Sequence, residues 1–267
     1  MPGTSALGFG VPKRPSELTT APVCTLAVAF QVDRRWPVVV AANRDERLGR
    51  ASDGWALREG KGGVRFAAPG DLLAGGTWMG LSAKGVFAGL TNYHAPLEWY
   101  PDPERRSRGE IVGLALAAPS ARAAREALAP APAERWNPFH LLVADARSAF
   151  LWWFDGERAA FQDLAPGLHV VTERSPLGSC PRGDLVRSRW PVEPSAPLLR
   201  ELLTIHAPPA ERATCIHGDP AYGTRSSAIL RMAADLGASE LLAADGRPCV
   251  TPHEDRSALL AALARTA

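Results

Sequence analysis

Cys24-Thr-Leu-Ala-Val-Ala-Phe30 is a largely apolar segment that the turn-prone residues 31–36 connect to a second apolar segment, Pro37-Val-Val-Val-Ala-Ala42. Both segments are rich in residues that favour β-strands, and the short polar connection between them predicts a β-hairpin. The second segment runs into four polar residues, Asn43-Arg-Asp-Glu46. Because antiparallel strands lie side by side, the hairpin is expected to bring this tetrapeptide back to Cys24.

This juxtaposition indicates a candidate nucleophile. A positive charge near a thiol favours the thiolate, and a carboxylate can orient a reacting partner, so Arg44 and Asp45 are the residue types that such a site needs. Asn43 and Arg44 are predicted to bind substrate or support the site. Two structural alternatives stay open: Cys24 as a small buried hydrophobic residue, and the tetrapeptide as a simple polar turn.

The composition is that of an ordinary globular protein, with 46% of the 267 residues hydrophobic. No apolar run approaches the roughly 18 to 20 residues that a membrane helix needs, so no membrane span is expected. The net charge of +2 is too small to indicate nucleic-acid binding. The four cysteines lie far apart, and the opening residues lack the apolar core of a secretory signal. Reduced thiols and a cytoplasmic location are therefore predicted.

Residues 1–23 are rich in Gly, Pro, Ser and Thr and show no apolar periodicity. We expect them to be a disordered or untranslated extension, and residues 24–267 to form one domain. Val23 favours the untranslated alternative, because a GTG codon that starts translation is decoded as methionine. A chain beginning at Cys24 would carry its own base, since an α-amino group with a pKa of about 8 can accept the thiol proton.

Further elements are predicted along the chain. Hairpins are expected at residues 75–93 and 139–154, and an exposed loop at 49–63. The remaining strands are predicted at 168–172, 222–230, 241–243 and 249–251. Helices are predicted at 109–129 with a break at Pro119, at 183–190, at 196–206 and at 254–265. Strand pairs with helices between them predict an α+β fold with mostly antiparallel sheet.

Two later positions carry chemistry. Asn92 ends the second strand of its hairpin, where its amide either caps loop backbone or donates to a developing oxyanion. Tyr222-Gly-Thr-Arg-Ser-Ser227 places Thr224 and Arg225 after a glycine, a combination suited to anion binding, to a buried polar network or to a solvated turn.

Cysteine and histidine recur near the C-terminal end, and together they raise the question of a metal site. Cys215, His217, Cys249 and His253 are residue types that ligate zinc. Neither pair has the close CxxC spacing of zinc ribbons, so no metal site is predicted. Phosphate-loop and dinucleotide-binding motifs are also absent, and no cofactor is expected.

Three segments resemble the Asn-Arg-Asp-Glu (NRDE) family, also called the transport and Golgi organisation protein 2 family. They are Cys24-Thr-Leu with Ala42-Asn-Arg-Asp-Glu46, then Gly75-Gly-Thr-Trp-Met-Gly80 through Gly89-Leu-Thr-Asn-Tyr93, and Tyr222-Gly-Thr-Arg-Ser-Ser227. That family in turn resembles the cysteine-type N-terminal nucleophile hydrolases. The resemblance implies a four-layer αββα sandwich with Cys24 as nucleophile, Asp45 orienting its amine and thiol, and Asn92 as oxyanion donor.

Two features of the chain depart from the pattern of the hydrolases that it resembles. Where those hydrolases carry a further asparagine, this chain has Glu173, and the site arginine has three candidates, Arg187, Arg189 and Arg225. The expected function is an amidohydrolase or acyltransferase that acts on a small non-peptide amide or thioester. The alternative is a non-catalytic protein that binds or carries haem, acyl-CoA or a lipid-like ligand in the same pocket. The oligomeric state is left open.

Overall fold

The computed structural model describes residues 24–94, 101–175, 177, 180–208, 212–217 and 220–266. These residues form two sheets in which every neighbouring pair of strands is antiparallel. The first sheet has the strand order β10 (Gly167–Thr172), β1 (Thr25–Phe30), β2 (Val38–Arg47), β11 (Tyr222–Met232), β12 (Glu240–Ala244) and β13 (Glu254–Asp255). The second has the order β3 (Ser52–Glu59), β4 (Arg65–Asp71), β5 (Met79–Ser82), β6 (Phe87–Asn92), β7 (Phe139–Ala144), β8 (Ala149–Phe154) and β9 (Ala159–Asp163).

Helices cover the outer face of each sheet. The second sheet is covered by α1 (Gly109–Leu116) and α2 (Ala121–Leu128), and the first by α3 (Pro181–Arg189) and α4 (Ala196–Leu203). The last helix, α5 (Ser257–Ala264), packs Leu260 and Leu263 into the core between the sheets. The result is a four-layer αββα sandwich, which confirms the predicted α+β class. None of the described helices is both long and apolar enough to cross a membrane.

Both faces of the central strands are buried, which explains their continuous apolar sequence. In β2, Val38, Val40 and Ala42 pack between the two sheets, whereas Val39 and Ala41 pack against the helices of the first sheet. Side chains alternate along a strand, so this register decides where each polar residue of the following tetrapeptide points.

Gly89 in β6 lets the two sheets approach closely near the site. A Cβ atom at this position would lie 2.9 Å from Cδ2 of Leu26 in β1. The glycine therefore allows β6 to pass close to β1. This contact brings the end of β6, with Asn92, toward the start of β1, with Cys24.

Most of the predicted elements are present. The break expected at Pro119 separates α1 from α2, and the Ser120 side chain caps α2 by accepting a hydrogen bond from the backbone N–H of Ala123. The predicted helix at 254–265 is shorter, because Glu254–Asp255 pairs as β13 before α5 begins. The polar tetrapeptide does not follow the second strand as a turn but continues β2 as far as Arg47.

Two local predictions are wrong. The loop predicted at 49–63 contains β3, an edge strand in which Trp55 is the buried residue. The exposed residues Asp53, Leu57 and Glu59 mix polar and apolar side chains, so the apolar alternation of a strand is weak here. The segment 249–251, predicted as a strand, forms a turn closed by a hydrogen bond from the N–H of Thr251 to the carbonyl of Arg247.

Candidate active site

A cavity of about 540 Å³ opens where β1 begins and where β2 and β6 end. Both sheets and the loop before α1 contribute to its walls. Cys24, Asp45, Asn92 and Arg108 are among its lining residues. The cavity therefore joins residues that are far apart in the sequence around one partly buried thiol.

The Cys24 thiol lies next to two carboxyl groups. Its Sγ donates a weak hydrogen bond to the backbone carbonyl of Asp45, at 3.5 Å. Burial raises the pKa of Cys24 well above its ordinary value, and the nearby charges of Glu173 and Asp45 raise it further. In this environment the neutral thiol is the favoured form, so thiolate formation requires a base or a cation close by.

The Asp45 carboxyl is held by two other side chains. Its Oδ1 accepts a hydrogen bond from Thr224 Oγ1 at 2.5 Å, and its Oδ2 lies 3.4 Å from Nη1 of Arg182. Burial nevertheless raises the pKa of Asp45 to about 7, because desolvation outweighs the effects of Arg182 and Thr224, which lower it. The carboxyl therefore changes charge close to neutral pH.

Glu173 follows β10 and forms the second carboxyl beside the thiol. The register that pairs Thr172 with Thr25 places Glu173 next to Cys24, and its side chain is fully buried. Burial raises the pKa of Glu173 to about 7, whereas its interactions with the thiol and the backbone N–H of Cys24 lower it. Two carboxyl groups close to one thiol thus ionise near neutral pH.

Asn43 and Arg44 point in opposite directions, as strand alternation requires. The Asn43 side chain lies on the helix side, where Nδ2 donates to the carbonyls of Leu203 and Thr214 at 2.8 Å each. Arg44 lies between the sheets, with its guanidinium 4.2 Å from the centre of the Trp78 ring. Both residues line the cavity, but the Asn43 amide is bound to backbone carbonyls on the helix side, whereas the Arg44 guanidinium lies between the sheets.

Asn92, Thr224 and Arg225 have different positions. Asn92 ends β6 and lines the cavity with Cys24. Thr224 contacts Asp45 directly. Arg225 lies at the irregularity of β11, where the register shifts between Thr224 and Ser226, and it is not among the described residues that line the cavity.

The arginine that contacts Asp45 is Arg182, which sequence reasoning missed in favour of Arg187, Arg189 and Arg225. Arg182 is 1% exposed and lies in the first turn of α3, whereas Arg187 and Arg189 lie on the solvent side of the same helix. Arg182 and Val186 share the buried face at i, i+4 spacing. The i, i+4 spacing from Val186 places a charged residue on the apolar face of the helix, and this pattern could have identified Arg182 from the sequence.

Arg108 is a second cation that the sequence did not indicate. It lies just before α1, and its Nη1 donates to the carbonyl of Pro138 at 3.1 Å. Burial lowers the pKa of Arg108, while the charges of Glu173, Glu46 and Cys24 raise it. Only the folded chain brings this residue to the thiol, because it arrives on a loop of the second sheet.

The raised pKa of Asp45 predicts a pH dependence of stability. Its ordinary value is 3.8 and its folded value about 7, so between these values the native state holds a proton that the unfolded chain releases. The contribution of Asp45 to the free energy of unfolding therefore falls as pH rises through this window, and is constant above it. We expect the stability of the wild type relative to Asp45→Asn to fall from pH 4 to pH 7, measured by urea unfolding.

Asp53→Asn is the control for this experiment. The hydrogen bond from Arg58 lowers the pKa of Asp53, so its contribution to stability is complete above about pH 5. The stability of the wild type relative to this variant should therefore be constant from pH 5 to pH 7. A constant difference for Asp45→Asn as well would contradict the raised pKa.

Arg182→Met tests the ion pair with Asp45. Removing one partner of a buried pair strands the other, and we expect a loss of about 3 to 5 kcal/mol in the free energy of unfolding. The loss should be smaller below pH 7, where Asp45 takes up a proton. Arg189→Met, an exposed change on the same helix, should stay within about 0.5 kcal/mol. Equal losses in the two variants would contradict a stabilising ion pair between Arg182 and Asp45.

Comparisons with known proteins agree with this architecture. The family model for Transport and Golgi organisation 2 matches residues 23–192. The chain is 31% identical to a mouse Transport and Golgi organization 2 homolog over 121 residues, which cover 40% of this chain and 38% of the mouse protein. It is 30% identical to the bovine homolog over 152 residues, covering 51% of this chain and 50% of that protein. The chain thus matches half or less of the length of these relatives.

Solved structures show the same fold at low sequence identity. A Caenorhabditis elegans ortholog of N-acylethanolamine-hydrolyzing acid amidase superposes with a TM-score of 0.55 at 13% identity, covering 78% of this chain and 92% of that one. A variant of conjugated bile acid hydrolase from Clostridium perfringens gives 0.53 at 12%, covering 87% and 92%. These neighbours have the N-terminal nucleophile hydrolase fold, and the chain described here belongs to the Transport and Golgi organisation 2 family.

Proposed function

We propose that this protein is a cysteine-nucleophile amidohydrolase or acyltransferase that acts on a small non-peptide amide or thioester. The observation that carries the proposal is the Cys24 thiol at the start of an inner strand, between the carboxyls of Asp45 and Glu173, in a cavity of about 540 Å³. A cavity of this size fits a small organic substrate. The amidase-like fold of the structural neighbours supports the same reaction class.

The proposed nucleophile is Cys24 as the first residue of the mature chain. Its thiol is disfavoured as a thiolate by burial and by two carboxyls, so it needs a nearby base. A free α-amino group at Cys24 would meet this need. It would lie within reach of Glu173, whose pKa is lowered by its interaction with the Cys24 backbone N–H. The resulting ammonium would be stabilised by the carboxylates on either side.

The reaction would proceed in two stages. The α-amine takes the thiol proton, and Sγ attacks the carbonyl carbon to form a tetrahedral oxyanion, toward which the Asn92 amide donates. As the intermediate collapses, the ammonium returns the proton to the departing amine or thiol and a thioester on Cys24 remains. Water, or another acyl acceptor, then attacks the thioester and frees Cys24.

Asp45 and Glu173 would act differently in this scheme. Asp45 is held by Thr224 and Arg182, which suits a residue that positions the nucleophile and its amine. Glu173 takes the place of an asparagine in the related hydrolases, and a carboxylate can only accept hydrogen bonds unless it is protonated. It therefore suits contact with an ammonium group better than contact with an oxyanion.

The lining of the cavity favours a second candidate, a carrier of an anionic lipid-like ligand such as haem or an acyl-CoA. The apolar residues that line the cavity include Leu26, Trp55, Trp78 and Met79. The cationic ones include Arg44, Arg50, Arg105 and Arg108, and carboxylates such as Asp71 and Asp102 lie among them. Such a surface can accept an apolar tail and an acidic group together. In this function, Cys24 would pack against the ligand without forming a covalent bond.

Intact-mass measurement distinguishes the two functions. The chain beginning at Cys24, produced with an initiator methionine that the host removes, is mixed with a panel of acyl amides and thioesters. We expect a transient acyl adduct on Cys24 that is absent in Cys24→Ala and retained in Cys180→Ala. Turnover should disappear with the adduct. A ligand that stays bound without an adduct, and binds equally to Cys24→Ser, would favour the carrier instead.

Asn92 provides an independent test of the chemistry. If its amide donates to the oxyanion, Asn92→Ala should lower kcat by about 10²- to 10³-fold. Asn92→Asp keeps the shape but loses the donor when ionised, so its loss should be similar. Both variants should keep a melting temperature close to the wild type, because Asn92 lies at the open end of its strand. Full activity in Asn92→Asp would contradict this role.

A further inference from the structure

A second cluster of reactive side chains lies outside the cavity. His206, which follows α4, meets Cys215 and His217 from the segment 212–217 and Cys249 from the turn after β12. One nitrogen or sulfur atom of each side chain lies within 4.8 Å of the corresponding atoms of the other three. Three loops that are distant in sequence therefore converge on one point.

The distances within this cluster lie within about 0.5 Å of those in a four-coordinate metal site. Tetrahedral zinc, with bonds of about 2.3 Å to sulfur and about 2.0 Å to nitrogen, separates its ligand atoms by roughly 3.3 to 3.8 Å. The sulfur atoms of Cys215 and Cys249 are 3.6 Å apart, and Nε2 of His217 lies 4.0 Å from Cys249 Sγ. Nε2 of His217 lies 2.8 Å from Nδ1 and 3.3 Å from Nε2 of His206. The thiols are too far apart for a disulfide, which needs about 2.05 Å.

We propose that His206, Cys215, His217 and Cys249 bind a zinc ion. Two thiolates and two imidazoles form a known ligand set for structural zinc, and soft sulfur ligands disfavour magnesium and calcium. Four protein ligands close the coordination sphere and leave no position for a substrate. The site is therefore structural, and it lies apart from the chemistry at Cys24.

The position of the zinc ligands explains what the metal would stabilise. Cys215 and His217 flank Ile216, whose N–H donates to Thr224 Oγ1 and whose carbonyl accepts from the Thr224 N–H, both at 2.8 Å. Thr224 in turn donates to Asp45. Zinc would thus fix the segment that positions the Asp45 carboxyl.

A second link runs through Asn43. Its Nδ2 donates to the carbonyl of Thr214, the residue before Cys215. A Cβ atom at Gly223 would lie 2.6 Å from the carbonyl oxygen of Ile216, so the segment packs directly on β11. The metal-binding loop therefore supports Asn43 and Asp45, two residues of the same polar tetrapeptide.

The sequence did not indicate this site because the ligands lack a compact spacing. His253, which was considered with the two cysteines, lies elsewhere and contacts Ser227 Oγ through Nε2 at 3.0 Å. His206 takes its place from a position before Cys215 in the chain. Only the packing of α4, β11 and the turn after β12 brings the four residues together.

Metal content of the full chain tests the proposal. The protein is purified without a metal-affinity tag, dialysed, and analysed by mass spectrometry of the elements. We expect about one zinc per chain, and less than about a tenth in Cys215→Ser and Cys249→Ser. Cys180→Ser is the matched control, because Cys180 lies outside the cluster and serine can replace it as the cap of α3. The control should keep its full zinc content.

Two further measurements distinguish the loss of a zinc ligand from a general loss of folding. His206→Cys should retain zinc, because three thiolates and one imidazole also form a structural site. Cobalt(II) added to the metal-free wild type should produce thiolate-to-metal charge-transfer absorption, and zinc should abolish it. Removing zinc should also increase hydrogen exchange at the Ile216 and Thr224 amides.

Several results would overturn the proposal. The first is a wild-type protein that contains less than about a tenth of a zinc per chain and also gives no cobalt spectrum. The second is a Cys180→Ser variant that loses as much zinc as Cys215→Ser. The third is a folded His206→Cys variant that binds no metal. A disulfide between Cys215 and Cys249, found by peptide mapping of protein kept under reducing conditions, would also overturn it. In that case the two thiols form a redox pair.

Discussion

The buried carboxyl of Asp45 is the interaction on which the rest of the site depends. The carboxyl joins β2 to β11 through Thr224 and to α3 through Arg182. The backbone carbonyl of Asp45 also contacts the Cys24 thiol. The first sheet and the helical layer that covers it therefore meet at one side chain. Its position follows from the alternation of β2, which turns Asp45 toward the helices and Arg44 toward the cavity.

Keeping two carboxyls next to a thiol is costly in a low-dielectric site. Desolvation raises the pKa of both Asp45 and Glu173 to about 7, even though Arg182 and Arg108 lie nearby. The apolar packing on both faces of the central strands offsets this cost, because it holds the polar residues in place whether or not they are ionised. Perturbed ionisation in a cavity is typical of a functional site.

The fold and the site support different conclusions about this protein. Structural similarity at 12 to 13% identity establishes the αββα architecture but leaves the reaction to be argued from the residues. The buried carboxyls of Asp45 and Glu173 beside the Cys24 thiol are the features of this chain from which a reaction can be argued. A metal-supported loop behind Thr224 would add a constraint on Asp45 that neither sheet provides.

The sequence by itself determined the central hairpin, the helices, the α+β class and the family, because apolar runs, turn residues and short motifs are local patterns. Among the residues predicted for the site, Cys24, Asn43, Arg44, Asp45 and Asn92 line one cavity. Only the tertiary structure decided that β3 is a strand, because an edge strand with one solvated face shows little apolar alternation. It also selected Arg182 and Arg108 as the cations near the site and grouped His206 with Cys215, His217 and Cys249. These residues are brought together by packing across the layers of the sandwich, and spacing along the chain carries no record of that contact.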